Sequence, residues 1–568
     1  MALPSPNWQI PPPVTSHSLP ADLPAAAVQV LFNRGIDSRE KLQFFMEPPH
    51  RLPHDPLRLP DMDRAIRRLY QAVSRKETVG IFGDFDVDGV TGTAIIGEGL
   101  SSLDVPVVPY LPKRVGEGHG LSTAAIQQLV DQGVTLLVTV DCGVDAVAEV
   151  SEANRLGVDV VITDHHLPSD ALPHAVAVVN PKLPGGSYPF PELCGAGLAF
   201  KLVQGLYEYY GQPWDPSLLE LAALATIADL VPMVDENRYL VKEGLKVMAQ
   251  TGRPGLQALF RRARVDLDSM NAQTVAFQVS PRLNSAGRMS HAMESYRLLT
   301  TKSAEEAESL AERLDLLNQE RRELSQRAIG AASDQVHRMS LAGDLPPILL
   351  VWDECITPGV AGLVAGRLAD LYHRPAVAMS AGGDYLVASA RGIPEFNLVE
   401  AFTACQDHLV RYGGHAQAAG FTVSRDNLPL LAEDLTAFAK NKLGAIDLSP
   451  KLAIDAVVAL DELTDNLVLW LKDLEPYGPA NRIPVFMSQN VPVSEVHYMG
   501  QAKQHLRLLV GHENGKGGGK WTALAFNQAE KWVDDFTRVD LVYSITDDSW
   551  RGRKAHALRL LDFRPAQG

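Results

Sequence analysis

Val79 to Ile95 reads VGIFGDFDVDGVTGTAI. An apolar run ends at Gly83, Asp84, Asp86 and Asp88 follow on alternate residues, and Gly89, Gly92 and other small residues can continue as a helix. The run predicts a buried strand, and three carboxylates at its end are costly to desolvate unless something neutralises them. A divalent cation does so, and strand-to-helix turns at the carboxyl edge of an α/β sheet are where ligands sit. The competing reading is a solvated acidic turn, because Asp-Val-Asp-Gly is also a common loop tetrapeptide.

Further acidic and imidazole groups follow apolar stretches. Leu136 to Val140 leads into Asp141-Cys142-Gly143, and Val158 to Thr163 leads into Asp164-His165-His166. A helical stretch, Leu218 to Ala228, leads into Asp229-Leu230-Val231-Pro232. Strand ends of successive β-α units converge on one edge of a parallel sheet, so these clusters are expected to form one site for two hard or borderline cations. A lone His-His after a strand is usually a surface pair. Three strand-then-ligand clusters and a fourth acidic turn argue against that here.

In order and spacing, GDFDVDGVTGTA, VDCG, TDHH and ATIADLVP resemble the four motifs of the DHH phosphoesterases. Within that superfamily the chain resembles the RecJ-type single-strand-specific exonucleases along nearly its whole length. The resemblance implies a DHH catalytic domain, a DHHA1 substrate domain and a C-terminal OB-fold.

The 568 residues are 46% hydrophobic and 21% charged, enough for three or four domains with proper cores. A net charge of −16 argues against a generally basic nucleic-acid binder but leaves room for a local basic groove. Cys142, Cys194, Cys355 and Cys405 are scattered without a Cys-x-x-Cys pair, so neither a zinc knuckle nor a disulfide framework is indicated. The N-terminal MALPSPNWQIPPPV lacks a basic region followed by an apolar one, and the apolar runs are too short for a bilayer. A cytoplasmic protein without membrane partners is the expectation.

Residues 1–58 are proline-rich and read as an arm packed on the domain that follows. Residues 59–300 read as one domain in which, after a helix from Asp61 to Val73 and as far as about Asp235, apolar strands alternate with helices such as Ser122 to Asp131 and Ala146 to Leu156, which predicts an α/β, doubly wound parallel sheet. Residues 301–339 contain a long helix from Ser303 with a Ser303/Glu306 capping box and an apolar stripe of Ala307, Leu310, Ala311, Leu314 and Leu317. Such a helix can bridge two domains over ~50 Å. Residues 340–447 form a second α/β unit. Residues 448–568 change to short alternating runs with a glycine turn at Gly515 to Gly519, which suggests a small β-barrel. Lys503, Arg507, Lys520, Trp521, Arg551 and Arg553 there mix basic and aromatic character suited to single strands. The plainer alternative is ordinary surface charge on a β domain.

Leu111-Pro-Lys-Arg114-Val-Gly-Glu-Gly-His119-Gly is either a phosphate cradle or a flexible loop. RecJ relatives carry a similar loop, which makes Arg114 a substrate candidate, although relatives often have an aromatic at the position of His119. Ser280-Pro-Arg282-Leu-Asn284-Ser-Ala-Gly-Arg288-Met resembles a family segment, so Arg282, Asn284 and Arg288 are candidates for backbone phosphates. For the arginines, structural salt bridging is the rival. Ser389, Arg391, Gly413, Gly414 and His415 resemble the DHHA1 substrate residues, with Gly-Gly-His suited to a backbone anion nest. Gly392 stands where relatives commonly have serine.

Hydrolysis of a phosphodiester needs charge neutralisation, an activated water and a stabilised leaving oxygen. Asp86, Asp88, Asp141, His165 and Asp229 are the expected ligands of two Mn²⁺ or Mg²⁺ ions, Asp141 bridging them. Asp84 is a further ligand candidate, and His166 is a ligand or a donor to the scissile phosphate. The resemblance implies 5′-to-3′ removal of nucleotides from single-stranded DNA in repair and recombination. It further implies a monomer whose partners include single-stranded-DNA-binding protein and a helicase. Two rivals stand beside this reading: a DHH hydrolase of short oligonucleotides or small phosphates, and a non-catalytic DNA-binding scaffold. The long helix and barrel argue against the first, and the complete set of motif aspartates against the second.

Overall fold

The computed structural model describes residues 6–15, 17–46, 54–114, 116–343, 345–511, 520–533, 536–548 and 555–566. They fall into two compact units, one of residues 54–231 and 236–449, the other of residues 5–53, 232–235 and 450–568. No helix among the described residues is long and apolar enough to cross a membrane.

The first unit opens with helix Met62–Arg75 and a five-stranded parallel sheet. The strand order is Val107–Tyr110, Thr78–Gly83, Val134–Val140, Asp159–Thr163, Ala177–Val179. The chain leaves Thr78–Gly83 to one side, returns, and continues on the other side. That reversal puts the topological switch point at the carboxyl end of the strand that precedes Asp84. The strands Thr78–Gly83, Val134–Val140 and Asp159–Thr163 are almost wholly buried, as a sheet covered on both faces requires.

The long helix runs Ala304–Ala342, ~58 Å at ~1.5 Å per residue. Ala307, Leu310, Ala311, Leu314 and Leu317 are buried in its first half. Farther along, Ala328, Ala332 and Val336 join the core of the second α/β layer with Leu349, Val360 and Val364. The expected capping box is only half formed. Ser303 Oγ accepts the Glu306 N–H at 3.2 Å, but the Glu306 carboxylate turns to Thr301 and Arg297, and Thr301 Oγ1 receives the Ser303 N–H.

The second layer is a mixed sheet ordered Leu409–His415, Ala418–Ser424, Tyr385–Arg391, Ala376–Gly382, Leu349–Trp352. Only its last two strands are parallel to each other. Gly413, Gly414 and His415 therefore lie on an exposed edge strand rather than in an anion nest.

The C-terminal unit is a closed barrel. Phe486–Met499 pairs with His505–Val510 and with Arg538–Asp548, while Trp521–Ala525 pairs in parallel with Ala555–Pro565, which completes the ring. The short apolar runs Pro484 to Met487 and Val493 to His497 belong largely to the single strand Phe486–Met499. Irregularities between Ser488 and Val491 and between Val493 and Glu495 bend it, as closing a small barrel demands. Lys503, Arg507 and Lys520 are exposed and Trp521 is half-buried, whereas Gly515 to Gly519, Arg551 and Arg553 lie outside the described residues. The N-terminal arm corrects an expectation. Ala27, Val30, Leu31 and Phe45 share one core with Phe486, Leu508, Tyr543 and Phe563, and Asn7–Gln9 pairs with Lys451–Ala453. The arm thus completes the barrel unit instead of covering the parallel-sheet domain, because its apolar helix Ala25–Asn33 finds its partners there.

Candidate metal centre

Asp84 leaves the buried strand, and Asp86 caps the helix Val87–Ser101 by accepting the N–H groups of Asp88 at 2.9 Å and Gly89 at 3.2 Å. Asp88 faces the start of helix Gly195–Tyr210, where its two oxygens accept the Gly195 and Ala196 N–H groups, each at 2.7 Å. A Cβ at Gly195 would lie 2.5 Å from that of Asp141, so only glycine permits this approach. Asp141 has a left-handed backbone, φ 60°, a conformation that clusters at functional sites. Its Oδ1 lies 3.0 Å from His165 Nε2. The same nitrogen is 3.8 Å from Asp88 Oδ2 and 3.8 Å from Asp229 Oδ2. Asp229 caps the end of helix Leu218–Ala228.

Three overlapping donor groups result: Asp84, Asp86 and Asp141; Asp88, His165 and Asp229; Asp141, His165 and His166. Within each, ligand atoms lie within 4.8 Å of one another, and Asp141 and His165 each belong to two groups. The electrostatics show what such crowding does. Burial, then neighbouring carboxylates, raise Asp141 well above the usual range, and burial and Asp88 push Asp229 up to about 8. Asp86 and Asp88 are raised too, chiefly by burial. Burial drives His165 down to about 4, leaving a neutral imidazole. Asp84 Oδ1 and His165 Nδ1 are buried without hydrogen-bond partners. Like charges and orphaned donor atoms in one place fit a pair of divalent cations, and mixed carboxylate and imidazole ligation suits Mn²⁺, with Mg²⁺ an alternative.

Motif reading passed over Asp164 as a functional group, although it stands inside the Asp-His-His run. Its carboxylate accepts Val144 N–H at 2.9 Å and lies 2.7 Å from His166 Nδ1. That hydrogen bond raises His166 above its ordinary value and leaves Nε2 for another partner. His119 Nδ1 sits 3.2 Å from Asp84 Oδ2, a contact the sequence left open.

The candidate substrate residues divide. The Arg114 guanidinium lies over the Phe85 ring at 4.3 Å, its Nε buried and unpartnered. Arg288 donates one long bond, 3.3 Å, to Gly359 O. Burial, then Arg114 and Arg321, push it down to about 10. Arg391 and Ser389 both face Gly362, whose missing Cβ leaves them room. His415 stacks on His166, with ring centroids 5.8 Å apart and planes at 8°. Arg282, by contrast, pairs with Asp315 of the long helix at 2.8 Å and donates to Gln278 O, so its fork is already engaged. Asn284 accepts the Val87 N–H at 3.2 Å, which ties its helix to the first metal-site turn rather than to a phosphate.

The geometry agrees with what the chain is similar to. Its sequence matches the DHH family N-terminal domain over residues 78–226, the DHHA1 domain over 346–441 and the RecJ OB domain over 454–562. It is 35% identical to the single-stranded-DNA-specific exonuclease RecJ of Bacillus subtilis, over 98% of this chain and 70% of that protein. The chain belongs to the RecJ family. Among solved structures, RecJ from Thermus thermophilus in complex with Mn²⁺ superposes with a TM-score of 0.82 at 29% identity, covering 99% of this chain and 80% of that one. The Mg²⁺ complex of the same RecJ gives 0.77 at 28%, covering 99% and 79%.

Proposed function

We propose that this RecJ-family chain is a metal-dependent exonuclease that shortens single-stranded DNA from its 5′ end, in repair and recombination. The observation that carries the reading is the set of three overlapping donor groups sharing Asp141 and His165, beside Arg114, Arg288 and Arg391. Two divalent cations bound there would supply an activated water and neutralise charge on the phosphoryl group. Asp84, Asp86, Asp88, Asp141, His165 and Asp229 are the residues to hold them. Arg114, Ser389 and Arg391 receive the terminal phosphate, whose near-double negative charge distinguishes an end from an internal diester. His166, oriented by Asp164, is placed to donate from Nε2 to the phosphate. The barrel adds affinity for longer strands, since each stacked base contributes ~1–3 kcal/mol. The protein works in the cytoplasm as a monomer, with single-stranded-DNA-binding protein and a helicase as partners.

The test uses single strands labelled at the 5′ or the 3′ end, with and without Mn²⁺. Release of labelled mononucleotide from the 5′-labelled strand alone, only with metal, is the expected result. Mononucleotide from the 3′ label at early times, or cleavage insensitive to chelation, would refute the reading.

A further inference from the structure

One cation at the carboxyl edge of the parallel sheet is not accounted for by the motifs. Strand Ala177–Val179 lies beside Asp159–Thr163 with Val179 in register with Thr163, and Asp164 N donates to Val179 O at 3.2 Å. Asn180, Pro181 and Lys182 therefore leave the sheet next to Asp164, His165 and His166. The side chain of Asn180 is fully buried and fixes this turn. Its Oδ1 accepts the Lys182 N–H at 2.8 Å, and its Nδ2 donates to His166 O at 2.8 Å. The backbone of Lys182 is thus tied to the backbone of His166 through one buried amide.

The Lys182 side chain is only 21% exposed, and its ionic partner among the described residues is Glu192 Oε2, 3.7 Å away. That is well beyond the ~2.7–2.9 Å of a charge-assisted hydrogen bond. Its charge reaches the site, favouring the deprotonated forms of His165, Asp229 and His415. Two cations therefore act on the acidic cluster, Arg114 on Asp84 and Asp86 and Lys182 on His165 and Asp229. Glu192 is itself 43% exposed and holds the ammonium only loosely, whereas the Lys182 backbone is fixed beside the site by a buried amide.

Resting on the phosphodiesterase reading above, we propose that Lys182 is a catalytic residue whose ammonium hydrogen-bonds a non-bridging oxygen of the phosphodiester being cut. It forms no bond and moves no proton. The water oxygen joins phosphorus as the bond to the leaving 3′-oxygen breaks, the proton the water loses is balanced by the one that oxygen gains, and the ammonium offsets the charge that builds on the phosphoryl oxygens. Glu192 is its resting partner, exchanged for the phosphate when DNA enters.

The experiment compares wild type, Lys182→Gln and Lys182→Arg on 5′-phosphorylated single strands with Mn²⁺, including strands with Rp or Sp phosphorothioate at the scissile position. Lys182→Gln is expected to lower kcat by roughly 10²-fold, as loss of one preorganised donor does, with KM within about twofold. Lys182→Arg should recover part of the loss. For one of the two sulfur diastereomers the slowing should be much smaller in Lys182→Gln than in wild type, because the contact it disturbs is already gone. Mn²⁺ binding by calorimetry and the melting temperature should match wild type. An unchanged kcat in Lys182→Gln, an undiminished sulfur effect, or lost Mn²⁺ affinity or folding that Lys182→Arg restores without turnover would each overturn the assignment. A wild type inactive on single strands would instead overturn the reading on which it rests.

Discussion

Two clusters of buried charge lie in the same α/β domain and are built on opposite terms. Arg253 donates Nε to Glu220 at 2.5 Å, Nη1 and Nη2 to the two Glu98 oxygens at 2.5 and 2.7 Å, and Nη1 also to Leu299 O at 3.2 Å. Every nitrogen of that guanidinium is matched, and the one oxygen left without a hydrogen bond, Glu220 Oε2, belongs to a carboxylate already paired with the arginine. The strand-end cluster instead gathers Asp84, Asp86, Asp88, Asp141 and Asp229 around a neutral His165, with orphaned donor atoms at Asp84 and His165. The first holds helices Val87–Ser101 and Leu218–Ala228 together at the ends away from the metal ligands. The second leaves those same helices carrying unmatched charge at their ligand-bearing ends. Charge that the chain matches internally stabilises the fold, and charge that it leaves unmatched is reserved for something that binds.

The sharpest way to break the contrast is Asp141→Ala. It should reduce hydrolysis by more than ~10³-fold, since it removes a donor shared by two groups, while single-strand binding stays measurable by anisotropy. Near-wild-type turnover in Mn²⁺ would remove Asp141 from its role. In the matched cluster, Arg253→Ala should cost stability instead, about 3–5 kcal/mol in denaturant unfolding, because it strands the buried Glu220 and the partly buried Glu98. Turnover per folded molecule should stay near normal, and a selective loss of activity in fully folded protein would blur the distinction.

Arg391→Ala should lower cleavage of 5′-phosphorylated strands by about 10- to 100-fold more than of 5′-hydroxyl strands, as losing a charge-assisted bond to a phosphate does. Equal losses in initial rate would make Arg391 a general backbone contact.

The pH dependence is smaller and follows from the unmatched carboxyls. Asp229, pushed up to about 8, keeps a proton in the folded chain that the unfolded chain has lost well below neutrality. Its contribution is therefore present at low pH and is lost as pH rises towards 8. His166, raised by Asp164, acts in the same sense, whereas His165 acts oppositely, but only below about 6.5. Chelated protein should melt at lower temperature at pH 8 than at pH 6.5, and added Mn²⁺ should raise the melting point more at pH 8. A flat profile would mean the carboxyls are already compensated. Smallest of all, Arg282→Ala should leave DNA affinity within about twofold, because Asp315 already occupies its fork.

The acidic residues at strand ends were legible because apolar runs ending in Asp or His leave few places in a parallel sheet other than its carboxyl edge. The matched cluster was not. Glu98, Glu220 and Arg253 lie on separate helices or at their caps, with no local pattern linking them, and only packing reveals that they meet. Arg282 and Arg288 sit six residues apart in one helix and carry the same fork, and Asp315 with Gln278 O engages only the first. The N-terminal arm was misplaced for the same reason, since an apolar helix records that it must be covered but not by which partner.

Taken alone, then, the amino-acid sequence determined the strand-end chemistry, the parallel order that collects it and the succession of domains, because periodicity and motif spacing are local properties of the chain. Tertiary structure decided which charges are matched. It set Asp164 behind His166, brought His415 onto that ring, and clamped Lys182 to the site through Asn180. Those pairings join residues up to some 250 positions apart in the chain, and the free energy of a buried charge depends on its neighbours in space.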